Sequence, residues 1–464
     1  MQIRNFKIII STTVIILVLA IISLSTLLYV HGPRVRLVTF ERDPANTSLQ
    51  ENSNINITFD RPIKDEDYTS KISFFPEIAF SSQTSSQSIT LTLKENFKHN
   101  TQYTLKIDNE VYDQTGRKMN EDYIKNFVTG EPNYVYIERN YYDLNTQDTA
   151  NDHVKIAQLG DVPRIIFSHP EIIMFSANSE YVVVAAKEDD FDQLYTINLK
   201  DNSVRKEQMK DSSRIATLSL SKFGETALFS TVPDIRYVGT DNFQENAYRL
   251  ERLNVEKGEI EIVKDDEGFN VKAYTIDLDK YGQVALVQDE LQNFFAVSPF
   301  GDFDPILLGQ RTDTFGFSSE TNQILFREND RIFLYDIASG ESDELDLGTS
   351  DFIIDIYKNS SEIYFSYNNF SPAEILSFVE KKNVDNNLSS IILWDNRQKT
   401  DKSLTDFSIS YDGVLLALNQ IPKNCVFDNV GANNQCKDSE TTIYDSVKKE
   451  EVTKFRGIDL QWLP

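Results

Sequence analysis

The feature that most constrains the fold is a short unit that recurs six times between residues 134 and 464. In each copy an alternating run reaches a tight polar turn rich in Gly, Asn or Ser, and an apolar run follows, which is the pattern of a β-hairpin. Successive turns lie 39 to 58 residues apart, a spacing typical of propeller blades. The turns open at Ser176, Ser221, Asp279, Ser318, Lys358 and Ser410.

A seventh copy begins at the C-terminal end of the sequence, in the run DLQWLP. One strand there would leave an open hydrogen-bonding edge. Three strand-like runs stand before the first full copy, and one strand plus three makes a four-stranded blade. The sequence therefore predicts an all-β chain in which residues 132–464 form a β-propeller of seven blades. Its ring would be closed by a split blade, where Asp459–Trp462 pairs with strands from residues 134–167. An irregular fifth unit leaves six or eight blades as alternatives.

Three of the units are longer than the shortest by more than 12 residues. Their extra residues fall at Val232–Asn246, Asn368–Asn387 and Ile421–Glu440, and we expect each between the second and third strands of its blade. Insertions on one face of a repeat ring commonly mark the binding side. Aromatic residues in them suit a partner interface, although they also suit packing of the loops onto the propeller. The candidate binding residues are Tyr237, Phe243, Phe370 and Phe427.

The arrangement of strands and turns in these units resembles the TolB-like and WD-repeat-like propellers of bacterial envelope proteins. The resemblance covers residues 132–464 and lies in the pattern of the blade. It implies a fold, whereas propellers host many unrelated activities.

Residues 33–131 contain short alternating runs that are closed by Asn, Asp, Pro or Gly. About seven short strands in about 100 residues predict an Ig-like β-sandwich. No pair of cysteines lies within this segment, so the sandwich would lack the disulfide of antibody domains.

The run INITFDRPI, followed by NTQYTLKIDNEVYDQTGRKMN and NFVTG, resembles the bacterial Ig-like domain of the SbsA surface-layer type. The resemblance implies a spacer or adhesive module of a cell surface without catalysis, with Tyr103 as a structural tyrosine corner. The matching positions are Phe59, Pro62, Thr101, Tyr103, Asp113, Gly116, Phe127 and Thr129.

The N-terminal segment from Ile8 to Val30 carries no charge over 23 residues, long enough to cross a bilayer as a helix. Arg4 and Lys7 precede it and favour a cytoplasmic N-terminus. We predict that residues 1–32 are a cytoplasmic tail and a signal-anchor transmembrane helix of a single-pass cell-membrane protein. The rest of the chain would then be extracytoplasmic. A cleaved signal peptide is the alternative.

Composition argues against several classes of function. The chain has 72 acidic and 46 basic residues, a net charge of -26, which disfavours nucleic acid as a partner. None of the four histidines has the spacing of a zinc site, and no G-x-S-x-G motif is present. We expect a protein that is not an enzyme and has no cofactor. Ca²⁺ remains possible without a specific motif, because several acidic runs lack an EF-hand loop.

The only cysteines, Cys425 and Cys436, lie in the last insertion with ten residues between them. Both follow the predicted anchor, so we predict a disulfide formed in an oxidising compartment. Free thiols or a metal pair are the alternatives.

These features together predict a membrane-anchored, surface-exposed, non-catalytic binding, adhesion or envelope-scaffold protein. One face of its propeller would bind an envelope protein or a glycan. One alternative is a propeller enzyme acting on envelope polysaccharide, since the many carboxylates leave paired catalytic acids open. Another is an envelope sensor or a transport accessory protein.

Overall fold

The computed structural model divides into two compact units, Met1–Glu131 and Pro132–Pro464. The residues that it describes are 13–21, 31–41, 44, 53–139, 151–209, 213–233, 238–310, 313–317, 323–328, 331–337, 339–347, 352–359, 362–370, 375–383, 390–397, 402–422, 427–428, 435–436 and 439–463.

Residues 13–21 are helical. Within the described ranges, no helix is long and apolar enough to cross a membrane. The predicted span Ile8–Val30 includes residues 8–12 and 22–30, which lie outside those ranges.

The first unit contains two antiparallel sheets, as expected for an Ig-like sandwich. One sheet has the order β1-β2-β5-β4 and the other β3-β6-β7, with a 3-10 turn at Thr69–Lys71 before β3. The strands are β1 (Val35–Phe40), β2 (Asn54–Phe59), β3 (Ile72–Phe75), β4 (Phe80–Ser85), β5 (Ser88–Leu93), β6 (Gln102–Ile107) and β7 (Tyr123–Val128).

Alternation along these strands builds the core of the sandwich, because every second side chain points inward. Residues of the Ig-like motif form hydrogen bonds that order the connections around this core. The Tyr103 hydroxyl is buried and accepts a hydrogen bond from the Lys98 backbone N–H at 3.1 Å, the structural role that the resemblance implied. Asp113 Oδ1 accepts from the backbone N–H groups of Thr115 and Arg117 at 2.9 and 3.0 Å. Gly116 in that turn has a φ of 84°, a conformation that favours glycine.

The second unit contains seven four-stranded antiparallel sheets, which are the blades of a propeller. Blade 1 combines the last strand of the chain with the first three strands of the unit. Its strands, from the inner edge outward, are β37 (Ile458–Trp462), β8 (Asn133–Glu138), β9 (Asp152–Gln158) and β10 (Arg164–His169).

The remaining six blades follow in chain order. Blade 2 consists of β11 (Ile172–Ala177), β12 (Tyr181–Glu188), β13 (Phe191–Asn198) and β14 (Val204–Lys206). Blade 3 consists of β15 (Ser213–Leu220), β16 (Thr226–Pro233), β17 (Arg249–Asn254) and β18 (Glu259–Ile262). Blade 4 consists of β19 (Thr275–Leu278), β20 (Ala285–Gln288), β21 (Asn293–Val297) and β22 (Ile306–Gln310).

Blade 5 consists of β23 (Asp313–Phe317), β24 (Gln323–Glu328), β25 (Arg331–Asp336) and β26 (Ser342–Leu345). Blade 6 consists of β27 (Phe352–Asn359), β28 (Glu362–Phe370), β29 (Ile375–Asn383) and β30 (Ile391–Asp395). Blade 7 consists of β31 (Lys402–Ile409), β32 (Leu415–Pro422), β35 (Glu440–Asp445) and β36 (Glu450–Phe455). A two-stranded hairpin, β33 (Phe427–Asp428) and β34 (Gln435–Cys436), lies between β32 and β35.

The predicted closure of the ring is confirmed. In blade 1, β37 pairs antiparallel with β8, so that Trp462 lies opposite Tyr134 and Ile458 opposite Ile137. The Leu463 backbone N–H adds a hydrogen bond of 2.9 Å to the Asn133 carbonyl. The final strand therefore supplies the inner strand that the first three strands of the unit lack.

Innermost strands of neighbouring blades are joined by hydrogen bonds from side chain to backbone. Gln461 of β37 bonds both Ala177 N and Phe175 O of β11, at 2.8 and 3.2 Å. On the other side, Ser408 Oγ of β31 donates to Leu460 O of β37 at 3.4 Å. These bonds lie on both sides of blade 1, so the blades form a closed ring.

A second kind of contact links the third strand of one blade to the first strand of the next. Asp152 and Asp192 each accept from a backbone N–H of the following blade, that of Ile172 at 3.0 Å and that of Ile215 at 2.7 Å. In both cases the donor N–H belongs to the residue just before a β-bulge in the inner strand of the following blade. A bulge disrupts the strand ladder locally, and the neighbouring blade supplies the missing partner.

One predicted insertion is wrong. The segment Asn368–Asn387 is mostly strand, because β28 and β29 are nine residues long and pair along their full length, from Glu362–Asn383 to Phe370–Ile375. Its remaining residues are 371–374, between β28 and β29, and 384–387, between β29 and β30. The other two insertions do separate the second and third strands of their blades, blade 3 and blade 7.

Candidate functional site on the insertion face

Connections between the second and third strands of all blades emerge on one face, because the strands of each blade alternate in direction. Blade-to-blade connections emerge there too. We call this side the insertion face and the other side, which carries the first-to-second and third-to-fourth turns, the opposite face. The long connections of the insertion face are residues 139–151 in blade 1, 234–248 in blade 3 and 423–439 in blade 7. The first of these was missed at the level of sequence, because the split blade hides its length.

The structure distributes the four predicted aromatic residues over three blades. Phe243 is half-buried in a short helix, Asp241–Asn246, which lies in the blade 3 connection and is capped by Thr240 Oγ1 accepting from Phe243 N at 3.2 Å. Phe370 is the last residue of β28 in blade 6, and Phe427 lies in β33 beside blade 7. Tyr237 and the side chains of Phe370 and Phe427 lie outside the described residues. A binding role for the four residues stays a prediction.

The predicted disulfide also falls outside the described part of the chain. Cys425 is not described, and only the backbone of Cys436 is, where it pairs with Phe427. The disulfide therefore stays a prediction.

Two tyrosines that the sequence did not single out form a stacked pair on the insertion face. Tyr248 follows the helix of blade 3, and Tyr274 precedes the first strand of blade 4. Their ring centroids are 3.5 Å apart with an angle of 20° between the planes. The Ala273 backbone N–H donates to Tyr248 O at 2.8 Å and fixes the two segments side by side. The sequence signal is the unit of 58 residues from Ser221 to Asp279, whose extra length lies in two connections and not in Val232–Asn246 alone.

The backbone at Tyr248 has a φ of 58°, which is rare for a bulky side chain and costs about 1–3 kcal/mol. Such strain persists only where the surrounding structure imposes it. Burial first, then the hydrogen bond with Tyr248 and the charge of Glu290, raises the pKa of Tyr274 to about 12. The Tyr274 phenol is therefore neutral near pH 7.

A hairpin between blades 3 and 4 adds a further exposed ring. Val271 N donates to Val263 O at 3.0 Å, and Leu250 N of β17 donates to Val271 O at 2.8 Å, so the hairpin extends the sheet of blade 3. At its tip the Phe269 side chain is 65% exposed. The Phe269 backbone N–H is held by Asp265 Oδ1 at 2.8 Å.

Acidic residues share the insertion face with these rings, two of them in the hairpin of Phe269 and one in the second-to-third connection of blade 4. Asp266, Glu267 and Glu290 are exposed. No ion pair involves any of the three among the residues that the structure describes. Glu290 is close enough to Tyr274 for its charge to affect the pKa of that phenol. This part of the insertion face thus combines exposed aromatic surface with three carboxylates that form no ion pair among the described residues.

A second group of polar side chains lies along the axis of the ring. Lys222 Nζ of blade 3 stands 5.8 Å from the ring of Tyr411, which belongs to blade 7. Blades 3 and 7 are not neighbours, so these side chains reach toward each other across a central channel. Lys222 is exposed to solvent, yet burial lowers its pKa, as expected for a side chain in a narrow channel walled by protein.

Asp355 and Asp406 belong to this channel. They occupy neighbouring inner strands, β27 and β31, and each follows a β-bulge. Their carboxyl groups are hydrogen-bonded to each other, and burial followed by the charge of Asp406 raises the pKa of Asp355 well above its usual value. Burial followed by the charge of Asp459 raises the pKa of Asp406 to about 6. The pair therefore shares a proton near neutral pH.

No cluster of three or more His, Cys, Asp or Glu side chains with the geometry of a metal site occurs in the described ranges.

Comparison with known proteins identifies a family for part of the first unit. Residues 33–129 match the family model of a bacterial Ig-like domain, which confirms that resemblance. No curated protein matches the sequence. The chain thus contains a segment similar to bacterial Ig-like domains, and the β-propeller of the second unit follows it.

Solved structures similar to the chain are propellers at low identity. TolB from Acinetobacter baumannii is 13% identical, with 79% of this chain and 80% of TolB covered and a TM-score of 0.39. The propeller domain of Cps50 (Swd1) from Myceliophteria thermophila is 12% identical, with 62% and 88% covered and a TM-score of 0.41. Putative TolB from Agrobacterium tumefaciens is 13% identical, with 70% and 90% covered and a TM-score of 0.35.

Proposed function

We propose that this protein is a membrane-anchored, extracytoplasmic binding protein of the bacterial envelope, and that it binds a protein partner through the insertion face of its propeller. The observation that carries the proposal is the exposed aromatic surface over blades 3 and 4. Exposed apolar surface that is rimmed by polar residues is typical of interaction sites. Propellers and other repeat rings commonly bind their partners through long connections, because these can vary without disturbing the blades.

The location of the protein rests on other features. An uncharged N-terminal segment of 23 residues has the length of a membrane span. The bacterial Ig-like domain at residues 33–129 would then act as a spacer between membrane and propeller. The predicted disulfide is consistent with an oxidising compartment outside the cytoplasm.

A second candidate function is favoured by the channel carboxyl groups. Paired acids are the machinery of glycoside hydrolysis, and Asp355 and Asp406 are paired. Retaining glycosidases hold their carboxyl groups about 5 Å apart, with the sugar between them. Asp355 and Asp406 are instead hydrogen-bonded to each other, an arrangement that leaves no room for a sugar, so we place this enzyme second. A sensor or transport accessory would use the same binding face.

Site-specific photo-crosslinking in the native bacterium tests the proposal. A benzophenone amino acid would replace Phe269, which is 65% exposed on the insertion face, in the full chain. The matched control replaces Phe300, which is 47% exposed in the third-to-fourth connection of blade 4 on the opposite face. We expect a discrete protein adduct from position 269 and none from position 300. Adducts from position 300 alone, or from neither position, would contradict the proposed binding face.

A further inference from the structure

We propose that the insertion face recognises a basic segment of its protein partner, one that presents two arginine or lysine side chains. This inference rests on the proposed function and names the chemistry of the partner. It follows from two aromatic–carboxylate pairs, Tyr274 with Glu290 and Phe269 with Asp266 and Glu267.

Each pair has the composition of a cation site. A guanidinium or ammonium group is attracted to the face of an aromatic ring, and a carboxylate beside the ring adds direct charge pairing. The Tyr274 backbone N–H donates to Gln288 O at 2.6 Å, two residues before Glu290, and Asp266 and Glu267 belong to the same hairpin tip as Phe269. Neither pair has a cation partner of its own among the described residues. The cation is therefore expected from outside.

The spacing of the two pairs sets the length of the segment. Phe269 and Tyr274 are five residues apart. The Lys264–Asn270 bridge closes the hairpin, and the Arg249–Lys272 bridge and the hydrogen bond from Ala273 N to Tyr248 O hold residues 272–273 beside β17 and Tyr248. An extended stretch of this length spans at most about 18 Å. A partner segment in extended form would thus reach both pairs with basic side chains about four to six residues apart.

The stacked tyrosines give the site a fixed shape. Tyr248 is held in a left-handed conformation, and its ring covers one face of Tyr274. Although one face of its ring is covered, Tyr274 is still 36% exposed. A ring whose orientation is already set loses little side-chain entropy when a cation settles on it.

Charge complementarity favours a basic protein segment over a glycan. The chain as a whole carries a net charge of -26, so a basic partner is also attracted over a long range. A neutral glycan would gain hydrogen bonds from the carboxylates but no charge pairing, and an anionic glycan would be repelled by them.

The experiment measures binding of a fluorescein-labelled octa-arginine peptide to the full chain in detergent micelles, by fluorescence anisotropy at pH 7.5. An octa-glutamate peptide is the negative probe. The site variant combines Asp266→Asn, Glu267→Gln and Glu290→Gln. The matched control removes the same number of charges from the opposite face with Glu180→Gln, Glu225→Gln and Glu256→Gln, which lie in turns of blades 2 and 3. Circular dichroism and melting temperature confirm that both variants fold.

We expect the site variant to bind octa-arginine at least ten-fold more weakly than the unmodified chain, and the control less than two-fold more weakly. Tyr274→Ala and Phe269→Ala should each weaken binding about three-fold, whereas Phe300→Ala on the opposite face should have no effect. Equal loss in the two charge variants would show attraction by overall charge only and overturn the inference.

Two further outcomes separate the inference from the function on which it rests. If position 269 still crosslinks to a partner while octa-arginine fails to discriminate the variants, the binding face stands and the basic segment is wrong. If a glycan array binds the full chain and loses that binding with Tyr274→Ala but not with the charge variant, the partner class is wrong.

Discussion

Aspartate has two different roles along the channel, and the neighbouring groups decide which. Asp277 of β19 accepts the Phe317 backbone N–H at 2.7 Å and so joins blade 4 to blade 5. Burial raises the pKa of Asp277, and the hydrogen bond from Phe317 and the charge of Lys222 act in the opposite direction. Asp355 faces Asp406 instead, so two like charges meet in a poorly solvated place. One proton is retained between them, because two adjacent carboxylates cannot both ionise at low cost.

Replacing Asp406 should therefore stabilise the protein at neutral pH. The pKa of Asp406 is raised from 3.8 to about 6, so between about pH 4 and pH 6 the unfolded chain loses a proton that the folded protein keeps. The free energy of unfolding falls over that window as pH rises. We expect Asp406→Asn to raise the free energy of unfolding by about 1–2 kcal/mol at pH 7.5 and to leave it unchanged at pH 4, as measured by urea unfolding.

A control with the opposite sign is available in blade 6. The hydrogen bond from Arg397 holds the pKa of Asp395 below its usual value, so Asp395→Asn should lose stability at pH 7.5 and not gain it. A variant Asp406→Asn that is less stable than the unmodified protein at pH 7.5 would contradict a shared proton in the channel.

At the scale of the element, the final strand contributes side chains to the apolar cores on both sides of blade 1. Ile458 and Leu463 belong to the apolar core between blades 1 and 2, whereas Leu460 and Trp462 belong to the core between blades 7 and 1. The Trp462 ring lies 5.8 Å from Tyr134, edge to face. One strand of five residues thus joins three blades.

Deleting residues 457–464 should open the ring. The deletion removes four buried side chains and the inner strand of blade 1, and large-to-small changes at single buried positions already cost about 2–5 kcal/mol each. The expected loss is comparable with the whole stability of a typical domain. We predict that the truncated chain loses its cooperative thermal transition in circular dichroism.

A chain that lacks only Pro464 is the matched control and should melt as the full chain does. If the truncation at residue 456 also melted at the unchanged temperature, the last strand would not be what closes the propeller.

At the scale of the whole molecule, the protein combines an apolar N-terminal segment with a strongly acidic remainder. A net charge of -26 keeps a chain soluble and repels anionic lipid headgroups, so the charged surface cannot itself hold the protein at a membrane. Membrane association, as proposed above, would then depend on residues 1–32 alone.

Cell fractionation tests this dependence. We expect the full chain to sediment with membranes and to stay there at high salt and in alkaline carbonate, because apolar insertion does not depend on salt. A chain that begins at residue 33 should move to the soluble fraction. If salt alone released the full chain, attachment would be electrostatic or through a partner, and the predicted anchor would be wrong.

Much of the architecture could be read from the sequence, since it depends on local signals. Alternation with a period of two marks each strand, and turn residues such as those at Ser221 and Ser410 mark where the chain reverses. Counting these units was enough to predict seven blades and the partner of Asp459–Trp462. The same kind of local motif placed the Ig-like domain, because residues such as Tyr103 and Asp113 hold its turns.

Only the tertiary structure decided the features on which the proposed binding depends. Whether Phe269 and Tyr274 are exposed depends on a hairpin that extends blade 3, and the contact of Asp355 with Asp406 depends on bulges in two separate strands. The length of β28 and β29 was likewise set by pairing. In each case a one-residue change of register reverses the direction of every side chain, and register is fixed by neighbouring strands and blades that no local window of sequence contains.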